Sequence, residues 1–318
     1  MTRKTEDGDM AYRIEARDDD MQAAVRRIAC EQIDRAISEI DDPDTGLDET
    51  VHQVRKRCKK LRGLLRLVRP AMNGYAAENA AFRDAARRLS DIRDADALIE
   101  TYDALMARFE GAADRRAFAP VRARLTRDAR AARQAGATEA ALAEVRAALV
   151  AARKRAVGWS LDADRADAVT GGLGKTYKRA RKAMQEAWAA PTDTTMHDWR
   201  KRVKYHWYHV RLLREVNPEM MRPRADAADA LGDLLGDHHD LAVLENRLDA
   251  APDDFRGADL EAFRALLRQR KAALEEKAFT QGRVLLAERR KALVKRVKGY
   301  WKTWEKGKDA PERLLVAG

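Results

Sequence analysis

Two cysteines in 318 residues, Cys30 and Cys58, are too few for a disulfide framework or a four-thiolate zinc site. Proline (8) and glycine (17) are scarce, and aromatic residues make up only 6%. So few breakers leave little room for the frequent turns of a strand-rich fold, and no alternating run bounded by turn signals occurs. No apolar run approaches the length that crosses a membrane, and residues 1–10 are too polar for a secretory signal. The expectation is a soluble, cytoplasmic protein that makes no use of a membrane. What abounds instead is Ala, Arg, Leu and Glu, the residues that form helices most readily, so the fold class is all-α.

The charge is also one-sided. Lys and Arg number 63 against 52 for Asp and Glu, a formal net charge of +11 that points to an anionic partner. Turn signals divide the helical pattern at Asp41–Gly46, at Pro70–Gly74, at Gly111 and Pro120, at 134–138, at Asn217 with Pro218, at Pro223, and at 250–257. Gly171, Gly172 and Gly174 mark 158–174 as a linker. The chain then reads as an acidic, frayed start over 1–9, a first helical half over 10–157, a second over 175–308, and a tail over 309–318. The acidic residues Glu15, Asp18, Asp19 and Asp20 extend that frayed start towards the first helix.

An internal repeat gives the two halves their meaning. Val51-His52-Gln53-Val54-Arg55-Lys56-Arg57-Cys58-Lys59 aligns with Met196-His197-Asp198-Trp199-Arg200-Lys201-Arg202-Val203-Lys204, an offset of 145 from His52 to His197. A second block, Leu89-Ser90-Asp91-Ile92-Arg93-Asp94, aligns with Leu235-Gly236-Asp237-His238-His239-Asp240. Two blocks in the same order at nearly the same separation imply two similar halves.

Each repeated block is a helix with a cationic stripe. At about 100° per residue, His52, Arg55, Lys56, Lys59, Arg62, Arg66 and Arg69 fall within an arc of roughly 140°. Val54, Cys58, Leu61, Leu65 and Val68 lie opposite. Between Val51 and Pro70 there are eight Lys or Arg and no Asp or Glu. Like charges at this spacing repel, so the stripe calls for a polyanion or for acidic groups from the other half. In the second block His197, Arg200, Lys201, Lys204, Arg211 and Arg214 share one face with Tyr208, while Trp199, Val203, His206, Val210 and Leu213 share the other. Thr50 and Thr195 read as N-caps, which puts His52 and His197 in first turns near free backbone N–H groups. Cations spaced one helical turn apart match a linear chain of phosphates.

The His-x-x-Arg-Lys-x-x-x-Lys signature in both halves, with a Leu-x-x-x-Arg/His-Asp block downstream of each, resembles the CHAD family, the conserved histidine α-helical domain. The strings 197–208 and 231–241 carry the most specific matches, and the basic segment 172–181 resembles the opening of the family's second half. The resemblance covers roughly residues 10–305. It implies two four-helix-bundle-like halves related by a pseudo-twofold axis, a basic groove or pore between them, and binding of inorganic polyphosphate at polyphosphate granules. By that resemblance His52, Arg55, Lys59 and Arg62 match the first signature and His197, Arg200 and Lys204 the second, with Arg93 and His239 as the downstream basic positions. Trp207 departs from the pattern, standing where a basic residue is expected.

The residues expected to bind polyphosphate are therefore His52, Arg55, Lys56, Lys59, Arg62, Arg66, Arg93, His197, Arg200, Lys201, Lys204, Arg211 and His239. His206, on the apolar face, reads as a core histidine. His238-His239-Asp240 invites comparison with metal-dependent phosphohydrolases, but a metal site needs further ligands, and a capping or pore-lining role suits it better. Gly174-Lys175-Thr176 ends like a phosphate-binding loop but lacks its first glycine and its preceding strand. No catalytic residue, metal or cofactor is expected, and no enzymatic activity. Residues 283–308, with ten Lys or Arg against two acids, read as an amphipathic helix closing a bundle. Other polyanions, including RNA or DNA, remain alternative ligands; the sequence carries no signal of oligomeric state.

Overall fold

The turn signals convert into helix ends. The computed structural model describes residues 12–133 and 137–308, and side chains over 12–89, 95–131 and 138–307. Among the described residues the chain forms eleven α-helices: α1 (Met21–Asp41), α2 (Leu47–Val68), α3 (Tyr75–Arg88), α4 (Ser90–Arg108), α5 (Ala119–Arg133), α6 (Ala137–Ala156), α7 (Arg165–Ala189), α8 (Asp193–Leu212), α9 (Pro218–Ala250), α10 (Leu260–Leu285) and α11 (Arg290–Lys308). Short 3-10 turns at Arg214–Val216 and Pro252–Phe255 flank α9. The fold is all-α, and a lone antiparallel bridge between Met72 and Leu161 is the only β pairing among the described residues.

α1, α2, α3 and α6 close a ring in which each helix packs on the next. In the second half α11 packs on α7, α7 on α8, and α8 on α9. The apolar faces read from the sequence face inward: Val54, Cys58, Leu61, Leu65 and Val68 on α2 are fully buried, as are Trp199, Val203, His206 and Val210 on α8. The pairs α4–α5 and α9–α10 reach away to form a separate cluster around Tyr102, Val121, Leu244, Phe255 and Phe263. Both hydrophobic clusters draw on both halves of the sequence.

Several breaks differ from expectation. Residues 158–174 do not run as a linker, because α7 starts at Arg165 and holds Gly171, Gly172 and Gly174 within it. A Cβ at Gly172 would fall 1.9 Å from the Leu67 carbonyl oxygen, so this glycine serves close helix packing rather than flexibility. Pro223 is the sixth residue of α9 and does not end it. Residues 1–9 lie outside the described residues. Of the acidic residues expected to fray, Glu15, Asp18 and Asp20 are fixed instead. Asp18 accepts from Arg27 Nε at 2.7 Å and Nη2 at 2.8 Å, and the Asp20 carboxylate caps α1 by accepting from the Ala23 amide at 2.6 Å. Next to them the Ile14 amide donates to the Leu212 carbonyl at 2.9 Å, and Tyr12 is completely buried. The basic C-terminal segment packs as expected for a closing helix, with Trp301 buried on α11, which lies on α7.

Candidate functional site

Both basic helices start earlier than their threonines suggested. α2 begins after Gly46, with Asp48 and Glu49 in its first turn, where carboxylates suit the positive end of the helix. α8 begins after Thr192, which makes a capping box with Thr195. Thr50 and Thr195 are therefore inside their helices, and His52 and His197 lie beyond the first turn.

An arc of 140° is wide enough for one edge to lean on a neighbour, and each stripe leans on the helix that follows it. Arg55 Nη1 donates to the Leu89 carbonyl at 2.8 Å, at the end of α3. Arg62 Nε and Arg66 Nη1 both donate to Asn79 Oδ1 on α3, the former at 3.5 Å. On α8, Lys204 Nζ lies 3.1 Å from both Asp229 and Asp233 of α9, and its ammonium sits 4.7 Å above the Trp207 ring. Lys201 pairs with Asp198. His52, Lys59 and Lys201 are exposed and Lys56 is half-buried. Arg211, expected on the binding face, is instead buried, 4.5 Å from Trp207 and 5.8 Å from Tyr12. The side chain of Arg93 lies outside the described residues.

α2 and α8 cross where Gly63 meets Tyr208 and Arg66 meets Tyr205, so they run past each other in opposite directions. The small glycine allows the approach, and His209, buried beside it, contacts the Gly63 carbonyl at 3.2 Å. A carbonyl can only accept, so His209 Nε2 carries the proton. On one side of this crossing a hollow opens between α2, α7 and α8. It is lined by Arg66, Arg69, Lys175, Arg179, Arg202 and Tyr205, with Gly172 and Thr176 beneath. Five cations from three helices thus meet with no carboxylate in the lining, and none of the five has an ion-pair partner among the described residues. The Arg66 guanidinium carbon lies over the Tyr205 ring, 4.0 Å from its centre.

Their mutual repulsion shows in their acidities. Burial lowers the Arg66 pKa, and Arg62 and Arg202 lower it further. Arg69 is the main cause of a lowered Lys175 pKa, with burial and Arg179 adding to it. Arg179 is lowered by burial, then by Arg69 and Arg202. Cations that depress one another in a partly desolvated hollow are stable together only at a cost that an anion would remove.

A second group forms between α8 and α9. The rings of His197 and His239 stack at 4.0 Å. Burial, then Lys201 and Arg200, lower the His197 pKa, and burial together with His197 and Arg200 pushes His239 down to about 3. His197 Nδ1 and Arg200 Nε are buried without a hydrogen-bond partner. His238, by contrast, turns into the interior and bonds Glu275 at 2.8 Å, while Asp240 lines a different hollow with Glu100 and Asp237. The three neighbours 238–240 do not converge on one point, and no group of three His, Cys, Asp or Glu among the described residues is placed to hold a metal ion. His206 is the core histidine expected, with Arg224 Nε donating to its Nε2 at 3.3 Å and its ring tilted on Tyr177.

Of the thirteen residues expected to bind, only Arg66 lines the hollow itself, with Arg62 close enough to act on its charge. His197, Arg200 and His239 form the second group. Lys175, Arg179 and Arg202 were missed as site residues, as was Arg69, which stood on the α2 stripe but not among the thirteen. The i,i+4 pair Lys175 and Arg179, directly after the glycines of 171–174, was the available signal, and it was masked by reading those glycines as a linker.

The model of the CHAD domain family matches residues 27–249. A crystal structure of the CHAD domain from the plant Ricinus communis matches this fold with a TM-score of 0.56 at 20% sequence identity, covering 83% of this chain and 89% of that one. No curated protein matches the sequence. No helix among the described residues is long and apolar enough to cross a membrane. The family match takes in α2 through α9, the helices that carry both repeated blocks and the whole lining of the cationic hollow, and the chain belongs to the CHAD domain family.

Proposed function

We propose that this protein binds inorganic polyphosphate, without transforming it, with the cationic hollow between α2, α7 and α8 as the principal contact. The observation that carries this reading is the hollow's lining: five cations, no carboxylate, a Lys175 pKa lowered chiefly by Arg69, and an Arg179 pKa lowered by burial and then by Arg69 and Arg202. Phosphate oxygens would take charge-assisted hydrogen bonds from these groups. Arg62, Lys59 and Lys56 continue the line along α2 towards exposed His52. The unpartnered His197 Nδ1 and Arg200 Nε offer a further contact on α8.

The aromatic residues of the basic helices favour polyphosphate over nucleic acid. Base stacking needs an open ring face. Tyr205 is covered by Arg66, Trp207 by Lys204 and Arg211, and Tyr208 and Trp301 are buried. Association with polyphosphate granules in the cytoplasm follows from the ligand, and co-localisation of a fluorescent fusion with stained granules tests it. For the ligand itself, the test is competition: long polyphosphate should displace RNA far better than RNA displaces polyphosphate. Equal displacement in both directions would mean a general polyanion surface.

A further inference from the structure

Places 145 residues apart in α2 and α8 are treated differently by the rest of the chain. Leu67 and Leu212 are one such pair. Against the Leu67 carbonyl lies the backbone of α7, at Gly172. The Leu212 carbonyl instead accepts the Ile14 amide, at 2.9 Å. In α1 the residue 145 before Gly172 is Arg27, a long cationic side chain where α7 has a glycine. Arg27 Nη2 donates to the Arg13 carbonyl at 2.9 Å and to Asp18 at 2.8 Å. The segment 12–18 is therefore bound to α1 through Arg27 and to α8 through Leu212.

The cationic hollow has a counterpart under the same shift. Arg66, Arg69 and Arg202 become Arg211, Arg214 and Arg57, and Tyr205 becomes Lys60. All four are cations, yet this place is neither open nor unneutralised. Tyr12 fills it: its hydroxyl donates to the Lys60 carbonyl at 2.7 Å, and its ring lies 5.4 Å from Lys60 Nζ, 5.8 Å from Arg211 and edge-on to Tyr208. Carboxylates supply the negative charge. Glu39 holds Arg57 at 2.6 Å, and Glu215 bridges Arg214 at 3.2 Å to Arg13 at 3.3 Å. Lys175 and Arg179 of the open hollow are replaced here by Cys30 and Asp34.

We infer that the protein offers one polyphosphate cradle rather than two, and that the segment 12–18, led by Tyr12, is a built-in stopper occupying the counterpart cradle in place of the anion. The ligand's identity rests on the function proposed above; the sealing does not. It confines the polyanion to the Arg66 face, so a chain of phosphates cannot contact both faces of the α2–α8 crossing at once.

The experiment has two readouts on the full-length protein. Arginine modification with phenylglyoxal, mapped by mass spectrometry, should mark Arg69, Arg179 and Arg202 and leave Arg57 and Arg211 unmodified. Equal reactivity of Arg211 and Arg179 would overturn the sealing, whatever the ligand. Calorimetric titration with tripolyphosphate should give one molecule per chain, lost in Arg66→Glu/Arg179→Glu and kept in Arg214→Gln. Tyr12→Gly with Glu215→Gln should raise Arg211 modification and admit a second tripolyphosphate. Two bound to the wild type, or protection of Arg211 by ligand, would also overturn it. No tripolyphosphate bound to the wild type, with Arg211 still unreactive, would remove the polyphosphate reading and leave the stopper standing.

Discussion

Gly63 of α2 lies directly against Tyr208 of α8, the residue 145 positions further along the chain, and a Cβ at Gly63 would sit 2.8 Å from the Tyr208 Cβ. The repeated helices thus touch at corresponding positions. Everything of one sign on either side of that point follows from it: Arg66 faces Tyr205 on one side, Lys60 and Arg211 flank Tyr12 on the other.

Replacing Gly63 by alanine should be destabilising. Helix propensity alone favours alanine over glycine by about 1 kcal/mol. Overpacking against Tyr208 and the Tyr12 hydroxyl opposes it, and such insertions cost about 1–3 kcal/mol. Chemical denaturation of Gly63→Ala is expected to show a net loss of stability. A gain would mean that the crossing relaxes freely.

The hollow should trade stability for binding. Arg179→Gln removes one of the mutually repelling cations, so the ligand-free variant is expected to be more stable, by about 0.5 kcal/mol on the scale of helical like-charge pairs. Its affinity for polyphosphate should fall at the same time. Thermal melts with and without polyphosphate check both, and the ligand-free difference should shrink with added salt.

Arg66 owes its position to Tyr205 and Asn79. Tyr205→Phe keeps an aromatic face and should bind polyphosphate as the wild type does. Tyr205→Leu removes the face that orients the guanidinium, and a cation–π contact of this kind is worth about 0.5–2 kcal/mol, so affinity should drop severalfold. Titration of both variants separates orientation from mere packing.

Acid should weaken the fold through its buried histidines. Burial pushes His209 down to about 3 despite its bond to Gly63, and His239 lies at about 3 as well. Unfolded, each would titrate near 6.5, so the unfolded chain binds more protons between those values. Stability is therefore full above pH 6.5 and falls as the pH drops towards 3, by about 1.4 kcal/mol per pH unit for each such histidine. Denaturant midpoints from pH 7 to 5 should decline, and His209→Gln should flatten the decline.

Much of this was legible in the sequence. The apolar faces of α2 and α8 could be read residue by residue, because a buried stripe repeats with the helical period. The repeat offset paired the two basic helices, but that they cross at Gly63 and Tyr208 came only from the structure. What could not be read was which neighbour each stripe leans on. Arg55 reaches Leu89, Lys204 reaches Asp229 and Asp233, and Arg211 lies against Tyr12; each outcome depends on how neighbouring segments fold back, which the helical period does not encode. The glycines of 171–174 misled for a physical reason: a missing side chain signals flexibility and close packing equally, and only the Leu67 carbonyl beside Gly172 decides between them.

The most direct measurement is a titration of the wild type and of Arg66→Glu/Lys175→Glu/Arg179→Glu/Arg202→Glu with long-chain polyphosphate, short-chain polyphosphate, pyrophosphate and mixed RNA at near-physiological salt. The wild type should bind long chains tightly, shorter ones progressively less, and RNA weakly. Each cation removed from the contact lowers the steepness of the salt dependence by about one in log–log slope. The fourfold variant should stay folded and lose binding. Undiminished polyphosphate affinity in that variant, or RNA bound as tightly as polyphosphate, would contradict the hollow as the polyphosphate site.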